Sequence, residues 1–198
     1  DVAEAKKTIY EWLEKFEATS WKKKKIEELS KGMQQKIQFI VTVMHNPDFI
    51  ILDEPFTGFD PKNTQLIKDE IENLKNNGAS IMLSTHRMEN VEAICDNVVL
   101  INKAHLVTQG SVMDVRNSLK DNTYELCYSG EKLNSKIAGI EILDEYVVDE
   151  MNCIKFSYRD NKPNLQLLAN EQIDIKEYRE IIPSMQDVFL TLTDSNNE

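Results

Sequence analysis

The chain has 198 residues, a formal net charge of −11 and a pI of about 4.8, with 41% hydrophobic and 29% charged residues. This balance is typical of a soluble globular protein with one large or two small domains. The acidity argues against nucleic-acid binding, which needs clustered Lys and Arg, and the apolar runs are too short to span a bilayer.

Helical periodicity dominates the first part of the chain. Apolar residues three and four positions apart predict a helix over residues 1–20. The basic run Lys22–Lys25 follows, and we interpret it as a solvated segment. Ser30 then has the character of an N-cap for a second helix with an apolar stripe, which ends near Asn46 and Pro47.

Two strands and two helices come next. The apolar run Phe49–Leu52 is typical of a strand buried on both faces of a parallel sheet. Asp60 and Pro61 mark the start of a helix, and Gly78 ends it. Ile81–Leu83 predicts a second strand, with a short helix after it. This strand–helix–strand–helix order indicates an α/β domain.

We place a domain boundary near residue 121, where the composition shifts. The preceding domain, 1–120, ends with a predicted hairpin over 98–107 and a short helix. The following domain, 121–198, has the order strand, helix, strand, strand, helix, strand, which fits a small α+β ferredoxin-like domain of βαββαβ type. Its predicted elements are strands at 124–128, 140–148, 153–158 and 173–178, helices at 133–138 and 165–171, and a final helix at 185–192.

The cysteines give no sign of a metal or disulfide framework. Cys95, Cys127 and Cys153 are far apart and form no C-x-x-C pair. The three histidines are equally scattered, so no metal-ligand spacing appears. An odd number of isolated cysteines predicts reduced thiols in a cytoplasmic protein.

Two polar clusters are typical of sites that bind an anion or a metal ion. Ser30 and Gly32 open a helix whose free N–H groups and dipole favour a phosphate, and Gly32 allows close approach to the backbone. Asp53 and Glu54 directly follow an apolar strand, where ligands bind in open α/β sheets. Asp53 can hold a magnesium ion, and Glu54 can polarise an attacking water as a general base.

Two further clusters follow in the chain. The segment Thr57–Pro61 contains the helix start at Asp60. Ser84, Thr85 and His86 come at the end of the second strand, on the same sheet edge as Glu54. His86 can there contact a phosphate or position a water.

In this order and spacing, the four clusters resemble the ATP-hydrolysing subunit of ABC transporters over residues 1–120. Residues 29–33 resemble the signature motif, 49–54 the Walker B strand, 57–61 the D-loop and His86 the switch histidine. Lys31 and Met33 depart from the common Gly and Gln of the signature. The variant, with the tail 183–189, is similar to ABC-2-type exporters.

The resemblance implies an α/β fold of P-loop NTPase type, with a helical subdomain at 1–47 and the Walker B to switch region at 48–120. It implies ATP and Mg²⁺ as cofactors and a head-to-tail pair of subunits. It also implies a separate transmembrane permease, through which the cytoplasmic subunit powers export at the inner face of the membrane, and no nucleic-acid partner. Carried over residue by residue, the implied roles are Glu54 and His86 in catalysis, Asp53 at the metal, and Ser30, Lys31, Gly32, Gln34 and Asp60 around the nucleotide.

One expected motif is missing from the sequence. No G-x-x-x-x-G-K-[ST] phosphate-binding loop occurs in the 198 residues, and the family carries this loop upstream of the signature. We therefore expect a C-terminal fragment of a longer protein, inactive by itself and prone to associate through an exposed sheet edge. Two other interpretations stay open: an ABC-type ATPase outside transport, and a non-catalytic regulatory or binding module.

Overall fold

The computed structural model describes residues 2–133, 139–160, 164, 168 and 173–194. Its contacts divide the chain into two compact units, Asp1–Cys95 and Asp96–Glu198. The segment 96–120 thus groups with the second unit, whereas the boundary near residue 121 remains a prediction. None of the helices in the described ranges has the length and apolar character needed to cross a membrane.

The first helix, α1 (Val2–Lys15), is shorter than the predicted 1–20. It ends because Glu17 takes a left-handed conformation with φ of 54°. The N–H groups of Glu17 and Ala18 donate to the carbonyls of Glu14 and Leu13, at 3.0 and 2.7 Å, which satisfies the last helical carbonyls. The following basic run is exposed, as predicted.

The other elements of the first unit follow the sequence prediction closely. They are α2 (Lys31–Val43), β1 (Phe49–Asp53), α3 (Pro61–Asn76), β2 (Ser80–Ser84) and α4 (Met88–Ile94). Ser30 caps α2, with its Oγ accepting from the N–H of Met33 at 3.3 Å. Asp60 caps α3 in the same way through the N–H of Asn63, at 2.9 Å. Caps of this kind satisfy N–H groups that have no partner within the helix.

Strands β1 and β2 form a two-stranded parallel sheet. Ile50 and Leu52 point into a core that α1, α2 and α3 share. The expectation that both faces of β1 are buried is wrong for this chain. Phe49, Ile51 and Met82 on the opposite face are 56%, 66% and 61% exposed, because the unit places its helices against only one face of the pair.

The second unit begins with an antiparallel hairpin and a short helix. The hairpin is β3 (Asn97–Asn102) with β4 (His105–Ser111), and the helix is α5 (Val112–Asn117). Lys103 and Ala104 both have positive φ, which is the geometry of a two-residue hairpin turn.

Four antiparallel strands build the rest of the second unit. They are β5 (Thr123–Gly130), β6 (Ile140–Val148), β7 (Met151–Tyr158) and β8 (Ile173–Glu180), and α6 (Met185–Asp194) closes the chain. Their spatial order β6-β7-β5-β8 is that of the predicted ferredoxin-like sheet. The two helices predicted at 133–138 and 165–171 fall almost entirely outside the described residues.

The prediction of three reduced thiols is wrong for two of them. Cys127 on β5 and Cys153 on β7 are register partners, with their Cα atoms 4.1 Å apart, and they form a disulfide bond. Their sequence separation of 26 concealed this proximity, because the antiparallel sheet and not the local spacing brings them together. Cys95 takes no part in a disulfide bond.

We expect the denatured but unreduced chain to take up one alkylating group, and the reduced chain to take up three, as counted by intact mass. Replacing Cys127 by Ser should lower the free energy of unfolding by about 2–4 kcal/mol under non-reducing conditions, since the crosslink restricts the unfolded chain. Cys95→Ser serves as the control. Three groups taken up without reductant would contradict the bond.

We also expect the 198-residue chain to self-associate through the exposed face of β1 and β2. Removing a contiguous apolar face from water lowers the free energy of the system. Sedimentation velocity should show concentration-dependent association. The double variant Ile51→Thr/Met82→Thr should weaken this association, whereas Val41→Thr, at an exposed position on α2, should not. A wild-type chain that stays monomeric at all concentrations would refute this expectation.

Candidate functional site

The parallel pairing of β1 and β2 assembles one cluster of polar side chains. Asp53 and Ser84 are register partners at the ends of the two strands. Glu54 follows Asp53 directly, and His86 lies two residues beyond Ser84. Since both strands run in the same direction, all four residues meet at one edge of the sheet, where ligands bind in open α/β folds.

Glu54 is held on both sides by the segment after β2. Its own N–H donates to the carbonyl of Ser84 at 3.0 Å, and it takes a φ of 45°. Its Oε1 accepts from the N–H of His86 at 3.0 Å and lies 2.7 Å from Nδ1 of the same residue. Thr57 donates to Oε2 at 3.4 Å. The carboxylate is thereby given one fixed direction, although Glu54 is only half-buried.

Competing effects set the acidity of Glu54. Burial raises the pKa of its carboxyl group, but hydrogen bonds from the ring and backbone of His86, the charge of His86 and the hydroxyl of Thr57 together lower it. The net pKa lies below the ordinary value of 4.5. Glu54 is therefore ionised at neutral pH and can accept a proton from a water molecule.

His86 presents its second ring nitrogen to solvent. Because Nδ1 faces Glu54, Nε2 is the atom that points away from the carboxylate, and 75% of the side chain is exposed. The ring can thus orient Glu54 with one nitrogen and meet a ligand with the other.

Asp53 offers one exposed carboxylate at the same edge. The hydroxyl of Ser84 donates to its Oδ1, and the described residues give Oδ2 no hydrogen bond. No group of three His, Cys, Asp or Glu side chains in the described parts of the chain could hold a metal ion. The single carboxylate of Asp53 fits Mg²⁺, which binds through one or two carboxylates and completes its shell with phosphate oxygens and water. It does not fit a metal held by protein ligands alone.

A second group of predicted site residues lies at the start of α2. The hydroxyl oxygen of Ser30 accepts from Met33, so its own O–H can still donate to a ligand. The N–H groups of Lys31 and Gly32 belong to the first turn, where no intrahelical acceptor exists. Lys31 is exposed and adds a positive charge. This turn has the character of an anion site.

Gln34 has a structural task in this turn. Its amide nitrogen donates to the carbonyls of Ile26 and Leu29, at 3.0 and 3.1 Å. These bonds tie the short 3₁₀ turn Ile26–Glu28 to α2 and so set the path of the chain into Ser30. Both hydrogen bonds of this side-chain amide come from its nitrogen, and none of the described residues donates to its oxygen.

Asp60, the last of the predicted site residues, directly precedes α3. Its carboxylate accepts from both the backbone and the side-chain amide of Asn63, at 2.9 and 2.6 Å. The backbone bond is the main cause that holds the pKa of Asp60 below its usual range. Asp60 is exposed, and each of its carboxylate oxygens accepts a hydrogen bond in capping α3.

Sequence reasoning gave no role to three residues that build these sites. Thr57 and Ser84 support the two acidic residues, and Gln35 packs against Gly58. Thr57 and Ser84 lie within the recognised motifs, so a search for hydroxyls next to the acids would have found them. Gln35 gave no such signal, because its neighbour lies far along the chain, beyond the Walker B strand.

Family models match both parts of the chain. Residues 2–57 match the model described as ABC transporter. Residues 110–193 match the model described as ATP-binding protein DrrA1-3-like, C-terminal domain. The two matches therefore cover the signature and Walker B segments and most of the second unit.

Curated relatives and one solved structure agree with these matches. An uncharacterized ABC transporter ATP-binding protein of Alkalihalophilus pseudofirmus is 32% identical over 181 residues, which is 90% of this chain and 67% of that protein. YhaQ, an uncharacterized ABC transporter ATP-binding protein of Bacillus subtilis, is 50% identical over 115 residues, or 58% of this chain and 39% of YhaQ. A structure titled "Structure of ATP binding subunit of ABC transporter" superposes with a TM-score of 0.56 at 29% identity, covering 60% of this chain and 49% of its own.

These similarities extend along most of the chain, although the chain itself spans only 39% and 43% of the lengths of two of the relatives that it matches at about half identity. The linearmycin resistance ATP-binding protein LnrL of Bacillus subtilis is 29% identical over 198 residues, or 96% of this chain and 64% of LnrL. The chain belongs to the ABC transporter ATP-binding protein family.

Proposed function

We propose that this chain is the catalytic part of an ATP-hydrolysing subunit that powers export through a separate membrane permease. The observation that carries the proposal is the fixed carboxylate of Glu54, held by the backbone N–H and ring of His86 at the end of two parallel strands. Membership in the ABC transporter ATP-binding protein family supports ATP as the bound nucleotide. In this proposal the activity requires a phosphate-binding loop in addition to the residues of this sequence, in which no G-x-x-x-x-G-K-[ST] motif occurs.

In this proposal, Glu54 is the general base. Its ionised carboxylate accepts a proton from the water that attacks the terminal phosphate of ATP. His86 is its positioning partner through Nδ1, and its exposed Nε2 faces the terminal phosphate. The rigid hold on Glu54 supports this assignment, because a base accelerates proton transfer only when it is held within hydrogen-bond reach of the water.

Asp53 is the proposed residue for Mg²⁺, which would neutralise charge on the phosphate oxygens when bound. Ser84 keeps the Asp53 carboxylate in one orientation through Oδ1. In this proposal the chain therefore contributes one oriented ligand to the metal ion, Oδ2 of Asp53.

The first turn of α2 is the proposed contact to the terminal phosphate bound by a second subunit. Ser30, Lys31 and Gly32 provide a hydroxyl, a positive charge and free N–H groups. Gln34 holds this turn in place, and Asp60 lies at the interface. Such a head-to-tail pair of subunits would put the signature turn of one chain opposite Glu54 of the other.

Export from the cytoplasm, with the subunit docked to its permease at the inner face of the membrane, is the proposed direction of transport. The match of residues 110–193 to the DrrA-like C-terminal domain supports it, as does the relative that is named for linearmycin resistance. The relatives reported above are named as ATP-binding proteins of transporters or of linearmycin resistance, which favours this proposal over an ATPase of DNA repair or a binding module.

Replacing Glu54 by Gln in the full-length protein should lower steady-state ATP hydrolysis by at least about 100-fold, since the general base is lost. ATP-dependent dimerisation, measured by size-exclusion chromatography with light scattering, should persist. Glu72→Gln, at a half-exposed position on α3, should hydrolyse ATP normally. Wild-type turnover in Glu54→Gln would remove Glu54 as the base.

Replacing His86 by Ala should lower kcat and move the acid limb of the pH–kcat profile to higher pH. The reason is that His86 lowers the pKa of Glu54, so the variant carboxylate takes up its proton at a higher pH as the solution is acidified. An acid limb at an unchanged pH would show that His86 does not set the acidity of Glu54.

A further inference from the structure

Gly58 occupies a position that only glycine fits. Within the D-loop, Thr57–Pro61, Gly58 has a φ of 81°, a conformation that L side chains rarely adopt. A Cβ atom on Gly58 would lie 2.8 Å from Oε1 of Gln35. That oxygen is enclosed and accepts no hydrogen bond from the described residues. The Gln35 amide therefore fills the space beside the D-loop without gaining a hydrogen bond at this oxygen.

One stripe of α2 faces the D-loop. Gly32, Gln35, Lys36 and Phe39 are spaced three and four residues apart, so they share one side of the helix. A Cβ on Gly32 would lie 3.7 Å from the carbonyl oxygen of Gly58. The same helix that presents the signature turn thus contacts the D-loop of its own chain at two points.

The start of α3, just after the D-loop, is linked to the same stripe through the residues that follow α1. The buried Lys36 donates from Nζ to the carbonyl of Phe16, at 3.3 Å. The next residue, Glu17, forms an ion pair of 2.9 Å with Lys62 in the first turn of α3, two residues after Asp60. The ring of Phe39 packs on Phe16 with centroids 5.7 Å apart. Gly58 thus contacts α2 directly, and the start of α3 just after the D-loop is linked to α2 through Phe16 and Glu17.

We propose that Gln35 is a positioning residue for hydrolysis, and that it holds the D-loop against the signature helix of its own chain so that both segments move as one body. The inference rests on the proposed function, in which the signature turn and the D-loop both face a second subunit. The enclosed Oε1 of Gln35 supports this role. Burying an acceptor without a donor costs stability. If Gln35 contributed only to stability, an apolar residue at this position would stabilise the protein more.

The kinetic test uses full-length wild-type protein with Gln35→Ala, Gly58→Ala and the double variant. Gln35→Ala should lower kcat by about tenfold with little change in KM, which is the size of a typical positioning effect. The double variant should lose less than the product of the two single losses, because the methyl group added by Gly58→Ala then no longer meets the amide. The matched control is Gln38→Ala, on the exposed side of the same helix. Independent, multiplicative losses would overturn the proposal.

Hydrogen exchange of the same proteins separates this inference from the proposed function. Gln35→Ala should speed amide exchange in the D-loop without lowering the midpoint of thermal unfolding, and Gln38→Ala should change neither. Unchanged D-loop exchange would overturn the inference whatever the ATPase rate. Faster exchange in a protein whose wild type does not hydrolyse ATP would keep the contact and refute the proposed function. A lower unfolding midpoint with normal kcat would reduce Gln35 to a packing residue.

Discussion

The parallel pairing of β1 with β2 is the constraint on which the candidate site depends. Its register places Asp53 opposite Ser84, and this fixes where the next residues of both strands emerge. Glu54 donates its N–H to the carbonyl of Ser84 at the end of β2 and accepts two contacts from His86 just beyond the same strand. Had the two strands been antiparallel, their carboxyl ends would lie at opposite edges and no such cluster could form.

The first unit has two chemically different ends that serve one proposed reaction. The sheet edge carries fixed carboxylates, while the start of α2 carries N–H groups, a hydroxyl and the positive charge of Lys31. Acidic and anion-binding groups of this kind complement each other across a nucleotide, which needs both metal ligands and phosphate contacts. The D-loop lies between them, with Gly58 against Gln35 and Asp60 committed to capping α3.

Local patterns were sufficient to predict most elements, since caps such as Ser30 and Asp60 act over three residues. Local patterns failed to predict features that depend on contacts between residues distant in the sequence. The Cys127–Cys153 bond depends on strand pairing over 26 residues. Glu125 is buried in the same sheet. Its carboxylate accepts hydrogen bonds from Nε of Arg179, at 2.6 Å, and from the hydroxyl of Tyr146, and these bonds offset the cost of burying it. The roles of Glu54 and His86 came from motif resemblance, and the bonds between them could be seen only in three dimensions.

The most direct test of the account is complementation between two inactive full-length variants, Glu54→Gln and Ser30→Arg. If the signature turn of one subunit serves the Glu54 of another, a mixture of the two contains mixed dimers in which one site keeps both an intact Glu54 and an intact Ser30. The account predicts that mixing restores ATP hydrolysis that neither variant shows alone. A mixture that forms mixed dimers and stays inactive would contradict a site shared between two chains.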